Sequence, residues 1–321
     1  MAEFITVSAV EDGTRLLRWF LRKFPSMPQR EFYKLCRGGQ IRVNSSRCKG
    51  MEILHEGDSV RIPPTVASYA KEPRKKNEAG DLFSLGDLEV LRKNIIYNDE
   101  DLVVFNKPAG LAVQGGTGIK KSVDKMAAAL FPYSKISLVH RLDKETSGLL
   151  VVAKNQKSAQ SLSRAFQNKT ATKEYLALLG GDVKQESGTI DNYMVKGRVI
   201  ESRDDAQETE KAQRAVTEYR VLAHVPGMLS WVLFSPKTGR THQLRMHSAF
   251  TLNAPIIGDN LYGRPREMAP MLKSVLATNN LFLFAYKITF RHPSSGKIMT
   301  LRAPIPDFMK PLMDLLELQL P

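Results

Sequence analysis

Apolar positions along this chain alternate between two spacings. Leu16, Leu17, Phe20, Leu21 and Phe24 recur at helical intervals, which predicts a helix opened by Thr14 and running to about Phe24. Pro28 suits the first turn of a second helix with Phe32, Leu35 and Cys36 on one face, ended by Gly38-Gly39. Ile5–Val7, Ile41–Val43 and Ser59–Ile62 are β-prone, with turns at Asn44-Ser45 and Glu56-Gly57-Asp58. Residues 1–62 therefore read as a small α/β unit. Residues 63–92 lose this periodicity, carry the basic run Lys71–Lys76 and read as a linker, with Leu88–Arg92 a candidate to lie against the next domain.

From about Lys93 short β-prone runs dominate: Ile95–Tyr97, Leu102–Phe105, Gly148–Ala153, Tyr175–Leu179, Tyr219–Ala223, Met228–Phe234, Leu281–Phe290 and Ile298–Arg302. Helical patterns intervene at Ser122–Leu130, Ser158–Gln167, Gln243–Thr251 and Met268–Leu276, and Asp307–Leu320 reads as a terminal helix. Helices scattered among strands joined by tight turns predict an α+β domain over 93–321 with a mixed, mostly antiparallel central sheet. Gly181–Val216 is polar and turn-rich and reads as a variable excursion.

Charge sharpens this picture. The 321 residues carry 47 Lys and Arg against 33 Asp and Glu, a net +14. Residues 1–76 hold 15 against 8, a net +7, so half the excess lies in under a quarter of the length. Arg30, Lys34, Arg37, Arg42, Arg47 and Lys49 cluster around the second helix and the turn after it. A solvated face is the bland reading; one-sided charge favours contact with the phosphates of a nucleic acid. Cys36 and Cys48 have no metal or redox spacing, and Cys36 reads as a buried small side chain. The opening residues lack a signal-peptide pattern and no apolar run approaches membrane length, so the expectation is a cytoplasmic protein with no membrane span.

Three stretches concentrate unusual groups: Leu138–Asn155 with Arg141 and Asp143, Lys173-Glu174-Tyr175, and Gly239–His247 with His242 and Arg245. A polar loop beside a strand fixes its side chains, and a guanidinium set against Asp143 keeps it ionised and oriented. An ordinary surface Asp with two ordinary arginines is the competing reading. His140 is either a base or a satisfied structural histidine. Glu145 admits a glycosidase-like carboxylate pair, against which stands a plain solvated Glu. His242 and His247 are five apart, off one helical face, so no metal is expected, and neither a Gly-x-Gly-x-x-Gly turn nor a Walker sequence calls for a nucleotide cofactor.

Leu138–Asn155 (LVHRLDKETSGLLVVAKN) resembles the catalytic motif of the RluA family of pseudouridine synthases. Asn106–Val113 resembles that family's first motif, Lys173-Glu174-Tyr175 its middle one, and Gly239–His247 its third, continued by Pro255–Asp259 and Leu261-Tyr262-Gly263. The helices and turns of residues 1–62 resemble an S4 RNA-binding domain. The resemblance implies a cofactor-free isomerase that converts uridines of structured RNA to pseudouridine, in its RluC-like branch those of 23S ribosomal RNA. Asp143 would be the essential aspartate, Arg245 its ion-pair partner, and Tyr175 the residue stacking on the base. Arg141 would fill the gap left by the flipped uridine, Leu244 would line the pocket, and Lys173 and His242 would contact substrate. A monomer is expected. Departures are mild: Ser248-Ala249-Phe250, Asn253-Ala254 and Leu283-Phe284-Ala285 replace commoner residues. A tRNA or dual-specificity isomerase and a non-catalytic ribosome assembly factor are the alternatives; retention of Asp143, Tyr175 and Arg245 argues against the second.

Overall fold

In the N-terminal stretch the helical and strand patterns separate into the elements that their spacing dictates. The computed structural model describes residues 3–24, 27–69, 83–116, 119–195, 198–201, 212–263 and 280–321. The helix expected at Met268–Leu276 and the basic run Lys71–Lys76 lie outside the described residues. The chain divides into two units, Met1–Asn77 and Glu78–Pro321.

In the first unit, strands β1 (Glu3–Thr6), β6 (Ser59–Ile62), β3 (Arg42–Val43) and β4 (Ser46–Arg47) form one small sheet, while β2 (Thr14–Arg15) pairs with β5 (Ile53–Leu54). Helix α1 (Leu16–Lys23) buries Leu16, Trp19 and Phe20, and α2 (Gln29–Arg37) buries Phe32, Leu35 and Cys36 in the same cluster. Thr14 does not open α1: it is extended and paired with Leu54, and Arg15 occupies the cap position. The β3–β4 turn uses Asn44 and Ser45 at φ 49° and 66°, the left-handed geometry of a tight hairpin.

The second unit is a mixed α+β fold. Its strands are β7 (Ile95–Asn98), β8 (Leu102–Lys107), β9 (Ser137–Leu138), β10 (Ser147–Ala153), β11 (Thr172–Gly180), β12 (Ser187–Val195), β13 (Arg198–Ile200), β14 (Gln213–Val225), β15 (Leu229–Pro236), β16 (Leu283–Arg291) and β17 (Ile298–Arg302). Among the described residues they make one sheet in the order β13-β12-β14-β15-β11-β16-β10-β8-β7, with β17 on β16 and β9 on β10. Every described pairing is antiparallel except β10 with β16. The flanking helices are α3 (Leu85–Lys93), α4 (Val123–Leu130), α5 (Gln156–Gln167), α6 (Gln243–Met246, continued by a π turn over His247–Thr251) and α7 (Lys310–Leu315). The interior strands β8 and β10 are almost wholly buried, which is why their sequences are nearly continuous apolar runs.

Four sequence expectations shift. The end of the stretch read as linker, from residue 84, belongs to α3, opened by a Ser84/Asp87 capping box and anchored by fully buried Leu91. The polar excursion 181–216 contains β12 and β13. The segment expected as helix to Thr251 switches from α to π geometry after Met246. The terminal helix is a 3₁₀ turn at Asp307–Met309 followed by α7, ending before Glu317 turns to φ 50°.

Candidate active site

The loop ahead of β10 is held from three sides. Leu142 is buried in the core and Thr146 is 2% exposed, while Arg141 is exposed and Asp143 half-buried between them. The Asp143 carbonyl accepts the Thr146 N–H at 3.2 Å, closing a turn. The Lys144 carbonyl accepts the Gly110 N–H at 3.0 Å and Lys107 Nζ at 2.9 Å. Lys107 Nζ also donates to Pro108 O at 2.9 Å and Leu111 O at 2.8 Å, so an ammonium with three N–H finds three carbonyls. Burial lowers the Lys107 pKa to about 7, with Glu145 and Asp143 opposing that shift.

After the loop, Gly148 brings β10 against β16. Its φ is 103° and a Cβ would fall on the backbone of Ala285. Only glycine allows this approach and geometry together. Beyond β16 lies β11, which presents Lys173 and Tyr175; Glu174 turns away to pair with Lys287 at 3.0 Å. The loop into α6 is stapled by buried Gln243. Its Oε1 accepts Thr238 Oγ1 at 2.7 Å and Arg240 N at 3.0 Å, and its Nε2 donates to Val216 O and Thr217 Oγ1. Nothing in the local sequence signals this staple.

These elements converge. A pocket of about 90 Å³ is lined by Arg141, Leu142, Asp143, Thr146, Lys173, Tyr175, Arg240, Gln243, Leu244 and Arg245, among others. It shares Arg141, Asp143, Lys173 and Arg240 with a cleft of about 800 Å³, along which Lys169 adds positive charge while Lys237 pairs with Glu218 at 2.6 Å. Burial, then the charge of Asp143, raises the Tyr175 pKa, keeping the phenol protonated. Burial lowers the pKa of Lys173. Of the sequence candidates, Asp143, Tyr175, Arg245, Arg141, Leu244 and Lys173 share the pocket. His242 does not line it; its Nδ1 is hydrogen-bonded to Tyr262 Oη at 2.9 Å. Arg30, Lys34, Arg37, Arg47 and Lys49 are exposed on the first unit. Half-buried Arg42 spends its guanidinium on Gly39 O and Ser45 O.

Arg245 corrects the expected pairing. Its Nε and Nη2 reach Asp259 Oδ2 and Oδ1 at 2.7 and 2.6 Å, and the pair is buried. No ion pair to Asp143 within 4.0 Å exists among the described residues. Burial, the largest influence, works against the charge of Arg245, but the Asp259 bonds and then the Asp143 charge outweigh it and raise the pKa. The signal in the sequence is a lone acid after the apolar run Pro255–Gly258.

His140 resolves as structural. Its Nε2 accepts the Val151 N–H at 2.9 Å, its ring stacks on Phe166, and burial lowers its pKa to about 3. Glu145 lines neither cavity and lies 3.8 Å from Lys144 Nζ, so no carboxylate pair spans the pocket. No cluster of metal-ligating side chains occurs among the described residues. Nor is any described helix long and apolar enough to cross a membrane.

Residues 101–250 match the family described as RNA pseudouridylate synthase. The chain is 33% identical over 318 residues to ribosomal large subunit pseudouridine synthase C of Pasteurella multocida, covering 99% of this chain and 94% of that protein. The Escherichia coli K12 enzyme of the same name is 31% identical over 309 residues, covering 96% and 94%. Among solved structures, human RNA pseudouridylate synthase domain containing 4 superposes with a TM-score of 0.61 at 27% identity, over 73% of this chain and 97% of that one.

Proposed function

The chain belongs to the RluA family of RNA pseudouridine synthases, and on that premise we propose that the Asp143 pocket isomerises uridines of 23S ribosomal RNA. One observation carries the assignment of residues: Asp143, Tyr175, Leu244 and Arg245, from three distant stretches, line a single pocket that opens onto a basic cleft.

The reaction breaks C1′–N1, turns the uracil and joins C1′ to C5; N1 gains a proton and C5 loses one, so composition is unchanged. A uridine inside a duplex must first be extruded, at a few kcal/mol of unstacking. Arg141, exposed at the pocket rim, takes the vacated place in the RNA. Leu244 and the Tyr175 ring grip the uracil; the phenol, held protonated, is not the base, and the C5 proton leaves to water. Asp143 supplies the anionic group that acts as the glycosidic bond breaks, and Arg245 balances charge beside it. Lys169, Lys173 and Arg240 hold the backbone on either side, a salt-dependent grip. His242 supports the pocket from behind through Tyr262.

The first unit serves as an S4-like RNA-binding domain. Support comes from the exposed cations of α2 and of the β3–β4 hairpin, which lie on consecutive elements of one small fold.

Chemical mapping of pseudouridine in ribosomal RNA tests the reading, comparing cells carrying the intact gene with cells carrying Asp143→Asn. One or more sites in 23S RNA are expected to vanish. Identical maps overturn the substrate; a site lost from tRNA alone moves it there.

A further inference from the structure

Cys36 and Cys48 are the chain's two cysteines, and neither lines the pocket or the cleft. Their spacing along the chain marks no redox pair, yet the fold sets the two sulfurs 3.7 Å apart with both side chains buried. The approach is fixed from both sides. After α2 the chain turns back at once: the Gly39 N–H donates to Cys36 O and the Gln40 N–H to Leu35 O, each at 2.9 Å. Beyond Cys48, Gly50 has φ 91° and presses on α2, where a Cβ would stand 2.6 Å from the Phe32 ring. The Glu52 carboxylate accepts the N–H groups of Lys49 and Gly50, pinning the turn that follows Cys48. The hydrogen bond with Cys36 holds the Cys48 pKa below its ordinary value against burial and the Glu52 charge, and the same bond raises that of Cys36. Cys48 is therefore the sulfur that ionises first.

We propose that Cys36 and Cys48 form a dithiol site that hydroperoxides oxidise to a disulfide, resetting the cationic surface of the first unit. The Cys48 thiolate attacks one peroxide oxygen and the O–O bond breaks. Water or an alcohol leaves with the other oxygen, and Cys48 becomes a sulfenic acid. The Cys36 sulfur then attacks Cys48, the S–O bond breaks, and water carries off the thiol proton. In all, two thiols give up two hydrogens and two electrons, and the peroxide takes them. Peroxide is small, and the neighbouring strands β3 and β4 are two residues each, so local opening admits it. A disulfide closes at about 2.0 Å, so the sulfurs draw together by roughly 1.7 Å. Arg47 and Lys49 flank Cys48, while Lys34 and Arg37 flank Cys36 on α2. Closure therefore shifts one group of cations against the other. The consequence for RNA rests on the reading of this unit as an RNA-binding domain: cations spaced for phosphates in the thiol form lose that spacing in the bridged form.

The test treats the full chain with hydrogen peroxide, alkylates the remaining thiols and maps peptides, alongside filter binding of 23S RNA. Peroxide is expected to join the Cys36 and Cys48 peptides within one chain, and dithiothreitol to separate them. The bridged protein is expected to bind RNA about fivefold more weakly at about 0.15 M salt, the worth of roughly one phosphate contact, and to recover on reduction. Cys48→Ser, whose hydroxyl replaces the thiol that donates to Ile41 O at 3.3 Å, and Cys36→Ala should both keep their Kd through the same treatment. Thiols untouched by peroxide, bridges between chains, an unmoved Kd in the bridged protein, or equal weakening in both cysteine variants overturn the inference. The reduced protein carrying Arg37→Ala with Arg47→Ala separates the two levels. If it binds RNA as tightly as the intact chain, the RNA-binding reading of the first unit fails. If it binds more weakly while bridging leaves Kd unmoved, that reading stands and the role of the cysteines falls.

Discussion

Replacing Lys107 with Met keeps the unbranched apolar stem, one heavy atom shorter, and removes the charge. Two effects oppose each other. The Pro108 and Leu111 carbonyls lose their partner, at about 1–3 kcal/mol each, while Lys144 O keeps its bond from Gly110. Against this, the buried ammonium no longer has to be kept charged. Its pKa of about 7, against about 10.4 when unfolded, makes that burden on the order of 5 kcal/mol below pH 7. The terms nearly cancel in mild acid, so urea unfolding of Lys107→Met and the intact protein should almost coincide at pH 6. The sign above pH 7 is fixed by proton counting. Between the folded and unfolded pKa values the unfolded chain binds the extra proton, so the intact protein gains stability as pH rises. The gain is about 1.4 kcal/mol per unit, hence on the order of 3 kcal/mol by pH 9. Met has no such gain, and the curves should separate. Loss of the Lys107 bond to Lys144 O loosens the Asp143 loop, so release of tritium from RNA carrying C5-tritiated uridine should fall by ~10–100-fold even at pH 6, where stability is matched. Parallel unfolding curves from pH 6 to 9, or an unimpaired rate, would refute the reasoning.

The same geometry fixes further outcomes. Gly148→Ala forces a Cβ onto the Ala285 backbone in a left-handed conformation and should lower unfolding free energy by at least about 3 kcal/mol, read as a drop in melting temperature; a melt within a degree of the intact protein contradicts it. Burial holds His140 at a pKa of about 3 and His247 at about 4, both below the ordinary value of 6.5. Below pH 6.5 the unfolded chain takes up protons that the folded chain refuses, so stability drains away down to those values, about 1.4 kcal/mol per unit for each ring. His140→Phe should remove roughly half of that acid sensitivity in urea titrations at pH 7 and 5. Changing Arg30, Lys34 and Arg37 together to Ala should weaken RNA binding and flatten the plot of log K against log salt by about 2 units; an unchanged slope would take the phosphates away from α2.

What the sequence disclosed tracks burial. β8 and β10 are covered on both faces, so they appear as unbroken apolar runs and their positions were legible. β12 alternates exposed and buried positions and carries Asp191 and Asn192. It is a strand because β14 pairs with it over eight positions, a context no local pattern contains. The helix α3 was legible after all, in the Ser84-x-x-Asp87 box that precedes Leu88 and Leu91. At the site, motif spacing marks Asp143, Tyr175 and Arg245, and all three line one pocket. The partner of Arg245 is marked in the sequence only as a lone acid after Pro255–Gly258, with nothing to tie it to Arg245. Spacing names which groups are present, and only the turn at Gly258 decides that the carboxylate 14 residues onward meets the guanidinium ahead of Asp143.

β16 lies between β10 and β11 in the sheet, yet it is synthesised about 100 residues after β11 ends. At translation rates of about 5–20 residues per second, the strands bearing the Asp143 loop and Tyr175 wait roughly 5–20 s with open edges before the central strand exists to join them. Neither half can pair correctly with the other in that interval, since their shared neighbour is missing. Nascent chains stalled before Leu283 therefore expose two unpaired apolar strand edges, a chaperone's substrate, and cannot yet be enzymes.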